Sequence, residues 1–499
     1  MLFKKILIAN RGEIAVRVIR ACRELGIKSA AIYSDADKTS LHTRLADETY
    51  HIGPAAAKES YLNKEKIINL AKEIEVDAIH PGYGFYSENA DFISLVEENK
   101  IAFIGPSSKS VELMGSKTEA RKLMAKNKVP IVPGTVDPIK SVKDGLKIAN
   151  EIGYPLLLKA SAGGGGKGMR KISSPDELES AFETTKREAL KAFANDDIYI
   201  EKYIENPRHI EVQIFGDKHG NYVHLFEREC SIQRRHQKII EESPSCFVDD
   251  ETRKKITNSA INAAKACGYY NAGTIEFLMD SDKNFYFLEM NTRLQVEHPV
   301  TELITGLDLV KEQIYVASGK KLSFNQDDIK INGHALECRI YAEDSFNNFL
   351  PSTGLILNYL APAGPGIRVD SGFDNGSEIS VYYDPLISKL VCWSDTRHSA
   401  IDRMLRALSE FIIGGLITNV SFLKLIVDHP KFRNGDININ FLNDEFMKKL
   451  SSSNGNSETK EFEKIASIFS VLLKSKKLSN NGRIISSKDS NFWQDQMYE

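Results

Sequence analysis

Carboxylate, amide and guanidinium side chains follow one another near residue 290 at a spacing that suits a metal-binding site. Glu289 and Asn291 are two residues apart, so they point to the same side of an extended chain, and Glu276 lies on the neighbouring predicted strand. If the chain stays extended, the same side also carries Arg293, Gln295 and Glu297. Magnesium bound to nucleotide phosphates takes few carboxylates and several phosphate or water oxygens. Carboxylates alone would equally fit a solvated hairpin face, but this combination favours a metal-binding site.

Glycine occupies five of the six positions 163–168, shortly after a predicted strand that contains Lys159. Glycine lets successive backbone N–H groups approach and surround an anion, and the lysine supplies a nearby cation. A glycine run alone also fits a flexible linker, but its position after this strand favours phosphate binding. No Ser or Thr follows a Gly-Lys pair, so the loop does not match the Walker pattern.

Two further segments are ambiguous when they are taken alone. Four of the five residues 234–238 are cationic or can become so, which fits a surface patch or a nucleic-acid contact as well as a site. The loop HPGYGF at 80–85 follows a predicted strand, where ligands bind in parallel α/β sheets, but its Pro and Gly residues also suit an ordinary turn. His209 and His236 carry no weight as isolated histidines.

The surrounding sequence predicts the α/β elements that would position these groups. An apolar run at 4–9, a helical pattern at 13–25 that ends at Gly26, and a strand at 28–33 form one unit, which implies a parallel sheet. A mixed α/β segment spans 120–205, and a β-rich stretch follows. The other predicted strands are 76–80, 101–104, 273–279, 284–290, 334–341, 379–383 and 387–393, with a helix near 396–410.

Composition limits the class of protein. The 499 residues are 42% hydrophobic and 27% charged, which is typical of a globular protein of about three domains. The net charge of −3 argues against general nucleic-acid or membrane-surface binding. The six cysteines form no CxxC pair, and the N-terminal apolar run is too short for a signal peptide. Because no window approaches the roughly 18 apolar residues of a membrane span, we expect a cytoplasmic protein with free thiols.

Taken together, these segments resemble the biotin carboxylase family of the ATP-grasp superfamily. The matching strings are IANRGEIA (8–15), HPGYGF (80–85), EKYIENPRHIE (201–211), ECSIQRRHQK (229–238), EMNTRLQVEH (289–298) and HALECRI (334–340). The resemblance covers residues 2–446 and is specific, because no other ATP-grasp ligase carries all of these strings. It implies an α/β fold, in part α+β, with an ATP-grasp domain. The implied domains are a doubly wound parallel-sheet domain at 1–118, the ATP-grasp domain at 119–318 with a glycine-rich lid at about 131–204, a mixed C-terminal domain at 331–446, and a linker with a helical tail at 447–499.

The resemblance also implies an activity and its residues. The chain would carboxylate biotin on a separate carrier protein through carboxyphosphate, using ATP, bicarbonate and Mg²⁺ or Mn²⁺. The implied ATP-binding residues are Lys117, Lys159, Gly165, Gly166, Glu201, Lys202, Ile204, His209, Gln233, His236, Glu276 and Glu289. The implied metal ligands are Glu276, Glu289 and Asn291, and the implied bicarbonate-binding residues are Lys238, Arg293, Gln295 and Val296. Glu297 would be the base, Arg339 and Tyr83 would hold biotin, and the catalytic residues would be Lys238, Arg293, Glu297 and Arg339.

Three residues depart from the family pattern: Ser116 where Asp is common, Lys167 where Arg is common, and Tyr86 where Leu is usual. None of them removes an implied catalytic group, although Lys167 lacks the bidentate fork of Arg. The implied partners are a second copy of the chain in a homodimer, a biotinylated carrier and a carboxyltransferase subunit. The final carboxyl acceptor stays open between pyruvate and an acyl-CoA such as acetyl-CoA or propionyl-CoA.

Two other functions remain alternatives. One is a different ATP-grasp ligase, such as half of a carbamoyl phosphate synthetase, which would lack the segment ending at Lys238 and the string around Arg339. The other is a non-catalytic nucleotide-binding subunit, which would have lost a paired carboxylate or Glu297. Farther along, an apolar stripe from Phe462 to Leu473 predicts a helix. That helix either folds back on the C-terminal domain or docks a carrier or carboxyltransferase subunit.

We predict that the chain itself carries no biotin. Biotin is attached to a lysine within an Ala-Met-Lys-Met-like turn, and Met447-Lys448 lacks the flanking residues of that turn. Streptavidin blotting of the isolated chain should therefore give no signal, with a biotinylated carrier protein as the positive control. A stoichiometric signal from the chain would contradict the separate carrier.

Overall fold

The computed structural model of the chain describes residues 2–135, 137–160, 169–193, 196–443 and 446. The chain divides into two compact units, Met1–Leu442 and Asn443–Glu499, and every element named below belongs to the first. The predicted tail at 447–499, with its stripe from Phe462 to Leu473, lies outside the described residues, as does the glycine-rich loop at 161–168.

The N-terminal part is a doubly wound α/β layer on a parallel sheet, as the sequence predicts. Its elements are β1 (Lys5–Ile8), α1 (Gly12–Glu24), β2 (Lys28–Ser34), α2 (Leu41–Leu45), β3 (Glu48–Gly53), α3 (Lys64–Glu73), β4 (Ala78–His80), α4 (Ala90–Glu98), β5 (Ala102–Phe103) and α5 (Ser108–Gly115). The strand order is β3-β2-β1-β4-β5, and every pairing is parallel. Because β1 and β4 are neighbours, the loops that follow them lie side by side at the carboxyl edge of the sheet.

A small antiparallel sheet with flanking helices comes next. Its elements are α6 (Lys117–Lys126), α7 (Val142–Ile152), β6 (Leu156–Ala160), β7 (Met169–Ile172), α8 (Pro175–Phe193) and β8 (Ile198–Lys202). Strand β6 lies between β7 and β8 and pairs antiparallel with both. Alternate residues Leu156 and Leu158 of β6 pack against Leu178 and Phe182 of α8, so one face of the sheet is buried. Apart from α6, this layer falls within the segment predicted as the lid.

A large antiparallel sheet, three two-stranded sheets and the helices around them form the rest of the first unit. The elements that precede residue 330 are β9 (Arg208–Gly216), β10 (Tyr222–Arg234), β11 (Gln237–Ser243), α9 (Asp250–Ala266), β12 (Asn271–Met279), β13 (Phe285–Asn291), α10 (His298–Thr305) and α11 (Leu309–Ala317). Those that follow are β14 (His334–Tyr341), β15 (Glu343–Asp344), β16 (Leu350–Pro351), β17 (Gly354–Leu355), β18 (Asn358–Leu360), β19 (Ile367–Ser371), β20 (Glu378–Ile379), β21 (Leu386–Ser394), α12 (Arg397–Glu410), β22 (Ile412–Gly414), α13 (Val420–Val427) and α14 (Pro430–Arg433).

Eight of these strands make one continuous sheet in the order β13-β12-β9-β10-β11-β14-β21-β19. Every pairing in it is antiparallel. The pairing of β11 with β14 joins strands from either side of the predicted division at 318–331. The polar residues of both segments therefore share one sheet.

The predicted strand at 379–383 is wrong beyond Ile379, where β20 ends. The chain turns away from the sheet, and the Tyr383 hydroxyl lies 2.6 Å from Ser34 Oγ in the N-terminal layer. This long-range contact, which local sequence does not encode, replaces strand pairing.

Buried apolar residues hold the N-terminal layer against the large sheet. Ile14 and Val18 of α1 share one cluster with Leu309 and Ile314 of α11 and with Phe215 of β9. Helix α1 ends where predicted, since Gly26 follows it with a φ of +67°, in the left-handed region that glycine tolerates. The loops at the carboxyl edge of the parallel sheet are thereby fixed beside the polar face of the large sheet.

Two further observations concern the described part of the chain. No helix within it is long and apolar enough to cross a membrane. The six cysteines all lie within it, and all are free thiols.

Candidate active site

The ammonium group of Lys238 is the centre of a cluster of buried carboxylates. Lys238 is the second residue of β11, and its Nζ donates to Glu276 at 2.9 Å, to Glu297 at 2.7 Å and to Glu211. Burial opposes the charged form of this lysine. The carboxylates of Glu211, Glu276 and Glu297 outweigh burial and raise the pKa of Lys238 well above its ordinary value. The lysine is therefore cationic in the folded protein.

Glu297 lies between this lysine and a second cation. It precedes the first turn of α10, and its Oε2 accepts from Arg339 Nη2 at 3.0 Å. Burial opposes its ionisation, but Lys238, Arg339 and Arg228 hold the pKa of Glu297 well below its ordinary value. Arg339, on β14, also donates from Nε to Glu241 at 2.6 Å. Glu297 is thus an ionised carboxylate paired with two cations.

The predicted metal ligands adjoin this cluster. Strand register places Glu276 of β12 directly opposite Glu289 of β13, and Asn291 Nδ2 donates to Glu276 Oε1 at 2.8 Å. His209 Nε2 lies 3.0 Å from Glu276 Oε2. The pKa of Glu289 is raised, first because the protein limits hydration of its carboxylate and then because the Glu276 carboxylate repels it. The side chain of Glu289 nevertheless reaches solvent. A divalent cation would relieve this repulsion, so the donor set fits magnesium.

The predicted strand parity fails beyond Asn291, the last residue of β13. The chain becomes a loop there because Thr292 N and Arg293 Nε bind the carboxylate of Glu88, in the loop after β4, at 2.8 Å each. The loop still brings the predicted residues together. Arg293 Nη2 donates to Asn291 Oδ1 at 3.0 Å, and Gln295 Nε2 donates to Glu276 Oε1 at 2.9 Å.

Arg228 of β10 is fully buried and binds Gln295 of this loop. It donates to Glu211 at 2.6 Å, Gln295 at 2.6 Å, Gln213 at 2.8 Å, Thr301 at 3.0 Å and Thr274 at 3.2 Å. Sequence reasoning missed Arg228, Glu211 and Glu241 as parts of the site. Their strands mix charged and apolar residues, as in QKIIEES at 237–243, so no local pattern showed that these charges would become buried partners.

The residues predicted for the nucleotide are divided between two layers. In the small sheet, Glu201 of β8 is buried and pairs with Lys159 of β6 and, at 2.7 Å, with Arg121 of α6. Lys202 Nζ donates to two main-chain carbonyls, of Gly153 at 3.1 Å and of Tyr154 at 2.9 Å. Ile204 follows the end of β8 and is half-buried.

Other predicted nucleotide residues occupy helix and strand ends. Lys117 is the first residue of α6. Ser116 caps the N-terminus of this helix, since its hydroxyl oxygen accepts from Glu119 N at 3.4 Å. Gln233 of β10 hydrogen-bonds His209 Nδ1 at 2.8 Å and so connects to Glu276. His236 is exposed in the turn between β10 and β11. Gly165, Gly166 and Lys167 lie outside the described residues.

The loop at 80–85 lies at the carboxyl end of β4, beside the end of β1. Asn10 Nδ2 donates to the carbonyls of Pro81 at 2.6 Å and Tyr83 at 2.8 Å, which fixes the loop. Gly82 has a φ of +62°, and a Cβ there would lie 2.8 Å from Asn10 Nδ2, so glycine is required. The Tyr83 hydroxyl donates to Glu13, the second residue of α1.

Three protein-family models match nearly the whole first unit. Residues 2–111 match the model described as biotin carboxylase, N-terminal domain, and residues 337–444 match the biotin carboxylase C-terminal domain. Residues 116–325 match the ATP-binding domain of the carbamoyl-phosphate synthase L chain.

Individual relatives agree with these matches. Biotin carboxylase 1 of Bacillus subtilis is 53% identical over 442 residues, which cover 88% of this chain and 98% of that protein. A pyruvate carboxylase subunit of Methanothermobacter thermautotrophicus is 51% identical over 478 residues, 96% of this chain and 97% of its own. Among solved structures, the biotin carboxylase domain dimer of Hydrogenobacter thermophilus 2-oxoglutarate carboxylase, in complex with MgADP, ADP and bicarbonate, is 50% identical. It superposes with a TM-score of 0.82 and covers 89% of this chain and 97% of that chain.

The fold, the site and these matches define an ATP-grasp ligase. The chain belongs to the biotin carboxylase family, whose enzymes use ATP to carboxylate biotin, and it is a ligase of this kind. The carbamoyl phosphate alternative rests on the central domain alone, whereas both flanking domains match biotin carboxylase models.

We predict that Arg228→Met destabilises the protein strongly, because it leaves Glu211 with one cation fewer in a buried site. Removing one partner of a buried ion pair costs about 3–5 kcal/mol, measurable as the free energy of unfolding in urea. Lys255→Met, which breaks an exposed pair with Glu251, is the matched control and should change this free energy little. Equal effects of the two substitutions would contradict the buried-network account.

Proposed function

We propose that the chain is the separate biotin carboxylase subunit of a multi-subunit carboxylase. In this role it carboxylates biotin on a carrier protein, with bicarbonate and ATP as co-substrates. The observation that carries the proposal is Glu297, an ionised carboxylate held between Lys238 and Arg339. The match with the pyruvate carboxylase subunit of Methanothermobacter thermautotrophicus, which covers 96% of this chain and 97% of that protein, supports this role. The second half-reaction, on pyruvate or an acyl-CoA, belongs to a carboxyltransferase partner.

The proposed nucleotide site uses both layers. Lys117 and Lys159 neutralise phosphate charge, with the loop that contains Gly165 and Gly166 covering the phosphates. Glu201, Lys202 and Ile204 contact the adenine, with Gln233, His209 and His236 nearby. Because the Lys202 ammonium is engaged by two carbonyls, its contact with the base is made through the main chain. The proposed domain limits remain 1–118, 119–318 and 331–446, which the matched ranges 2–111, 116–325 and 337–444 support.

Magnesium or manganese is the proposed metal, and Glu276, Glu289 and Asn291 are its protein ligands. Their facing carboxylates and amide oxygen are hard oxygen donors of the type these ions prefer. The ion would neutralise charge on the nucleotide phosphates.

The first proposed chemical step is deprotonation of bicarbonate. Lys238, Arg293, Gln295 and the main chain at Val296 hold the anion beside Glu297. A bound anion shares the cations that now stabilise the Glu297 carboxylate, so the basicity of Glu297 rises when bicarbonate binds. Glu297 takes the proton, a carbonate oxygen attacks the γ-phosphorus of ATP, and ADP leaves with the bonding electrons of the cleaved P–O bond.

The second proposed step transfers the carboxyl group. Carboxyphosphate breaks its C–O bond to give CO₂ and phosphate, and the phosphate accepts the ureido proton of biotin. The ureido nitrogen attacks CO₂ while Arg339 and Arg293 stabilise the enolate-like ureido oxygen. Tyr83 lies in the loop that borders this end of the site, where we propose that biotin enters.

The proposed partners follow from this division of labour. A biotinylated carrier presents biotin, a carboxyltransferase subunit consumes carboxybiotin, and two copies of the chain form a homodimer. The related domain dimer from Hydrogenobacter thermophilus supports the last point. We propose a cytoplasmic location, which the free thiols of all six cysteines support.

We predict that Glu297→Gln and Arg339→Gln separate the two steps. Glu297→Gln keeps the shape but cannot accept a proton, so bicarbonate-dependent ATP cleavage should fall by roughly 10²–10⁴ while nucleotide binding persists. Arg339→Gln should reduce biotin carboxylation by on the order of 10²–10³ and slow ATP cleavage without biotin far less. The measurements are ADP release with and without biotin, and carboxybiotin formation.

Glu312→Gln is the matched control, since Glu312 is a buried carboxylate of α11 bonded to Ser323, outside the proposed site. It should leave both rates near those of the unmodified chain. Normal bicarbonate-dependent ATPase in Glu297→Gln would disprove the base assignment. Equal loss of both activities in Arg339→Gln would disprove the proposed order of roles.

A further inference from the structure

A second buried lysine, Lys389 of β21, contacts the loop that carries Glu297. Its side chain is fully buried, and its Nζ donates to the main-chain carbonyl of Val296 at 2.8 Å. The same ammonium lies 3.2 Å from Glu13 Oε1 and 3.9 Å from Asp370 Oδ2. Strand register places Lys389 directly opposite Arg339 on one side and Asp370 on the other. Lys389 thus connects the C-terminal strands to α1 and to the loop before α10.

The position of Glu13 is tightly constrained. Its Oε1 also accepts from the hydroxyl of Tyr83 in the loop at 80–85. Gly372, just after β19, packs so closely on the start of α1 that a Cβ at this residue would lie 2.5 Å from Glu13 N. The anchor to which Lys389 binds therefore has little freedom to move.

The need for a lysine here is not explained by packing. An ammonium group removed from water is costly unless charged or polar partners compensate, and an apolar side chain of similar volume often stabilises such a position equally well. An apolar side chain would lack both the hydrogen bond to Val296 and the contact with Glu13 that ties Val296 to α1. Residues 292–297 lie outside helix and strand, so their carbonyl groups have no regular ladder to hold them.

We propose that Lys389 is a positioning residue, which orients the loop from Gln295 to Glu297 by holding the Val296 carbonyl against the start of α1. This inference rests on the proposed function, which assigns that loop to bicarbonate. Lys389 itself touches no reacting atom. It acts through Val296, whose neighbours on either side bind Glu276 and Lys238.

The consequence is a selective kinetic defect. Displacement of a catalytic group by about 1 Å can cost on the order of 10²-fold in rate. Loss of the bond from Lys389 should therefore raise the KM for bicarbonate by roughly tenfold or more and lower kcat for bicarbonate-dependent ATP cleavage. The KM for ATP should stay within about twofold of its original value, because Lys389 has no hydrogen bond or ion pair with any described residue assigned to the nucleotide.

Two substitutions test this inference. Lys389→Met fills the space without a donor, and Lys389→Gln keeps a donor on a side chain one atom shorter. Both should show the rise in the KM for bicarbonate, measured by ADP release under conditions that saturate ATP. The matched control is Lys5→Met, since Lys5 likewise pairs with a carboxylate, Glu48 at 3.2 Å, and a carbonyl, that of Ile74 at 3.0 Å, at the opposite end of β1. It should leave the KM for bicarbonate unchanged.

Glu13→Gln separates the hydrogen bond from the charge. Burial, only partly offset by Lys389, raises the pKa of Glu13 to about 7, so a neutral side chain is tolerated here near neutral pH. The Gln oxygen still accepts from Lys389, and the KM for bicarbonate should change by less than about threefold.

The inference is wrong if soluble Lys389→Met and Lys389→Gln keep the original KM for bicarbonate, or if the KM for ATP rises in parallel. If Lys389→Met does not fold, the result for Lys389→Gln decides by the same criterion. Failure of the proposed function would be seen separately, as normal bicarbonate-dependent ATPase in Glu297→Gln.

Discussion

Three buried carboxylates, those of Glu211, Glu276 and Glu297, converge on the single ammonium group of Lys238. Carboxylates this close repel one another, and burial withholds the water that would screen them. Lys238 is the strongest of the charges that hold the pKa of Glu276 and of Glu297 well below its ordinary value. Strands β9, β11 and β12 contribute Glu211, Lys238 and Glu276. The antiparallel register of one sheet therefore determines whether the cluster forms. One cation then links the proposed metal site to the proposed base.

The rest of the site is arranged around that cluster by other strands of the same sheet and by a loop of the N-terminal layer. Arg228 supports it from within the sheet, and Arg339 of β14 extends it toward the C-terminal strands. Glu88, from the N-terminal layer, turns the chain after β13 into the loop that carries Glu297. Each layer supplies a different part of the proposed reaction. The chemistry then requires mainly that the parts are held in place, since phosphoryl transfer depends on positioning and charge neutralisation.

Sequence patterns predicted best what depends on local spacing. Strand β14 (His334–Tyr341) has the predicted bounds, and α12 (Arg397–Glu410) lies within the predicted helix. Specific strings of residues were enough to locate the carboxylates, Lys238 and Arg339. Residues whose position depends on distant contacts were not predictable in this way. The extended parity failed after Asn291 because Glu88, about 200 positions earlier, binds the chain there. Arg228 and Lys389 gave no local signal, because long-range strand pairing decides which charges become buried partners.

The central claim is that bicarbonate, activated beside Glu297 and Lys238, attacks the γ-phosphate of ATP. The most direct test is to supply the isolated chain with bicarbonate labelled with oxygen-18, ATP, magnesium and free biotin, and to analyse the phosphate by mass spectrometry. If carboxyphosphate forms, the phosphate released at early times carries one labelled oxygen from bicarbonate, and ADP release requires bicarbonate. Phosphate without label, released at the same rate as ADP, would contradict the account.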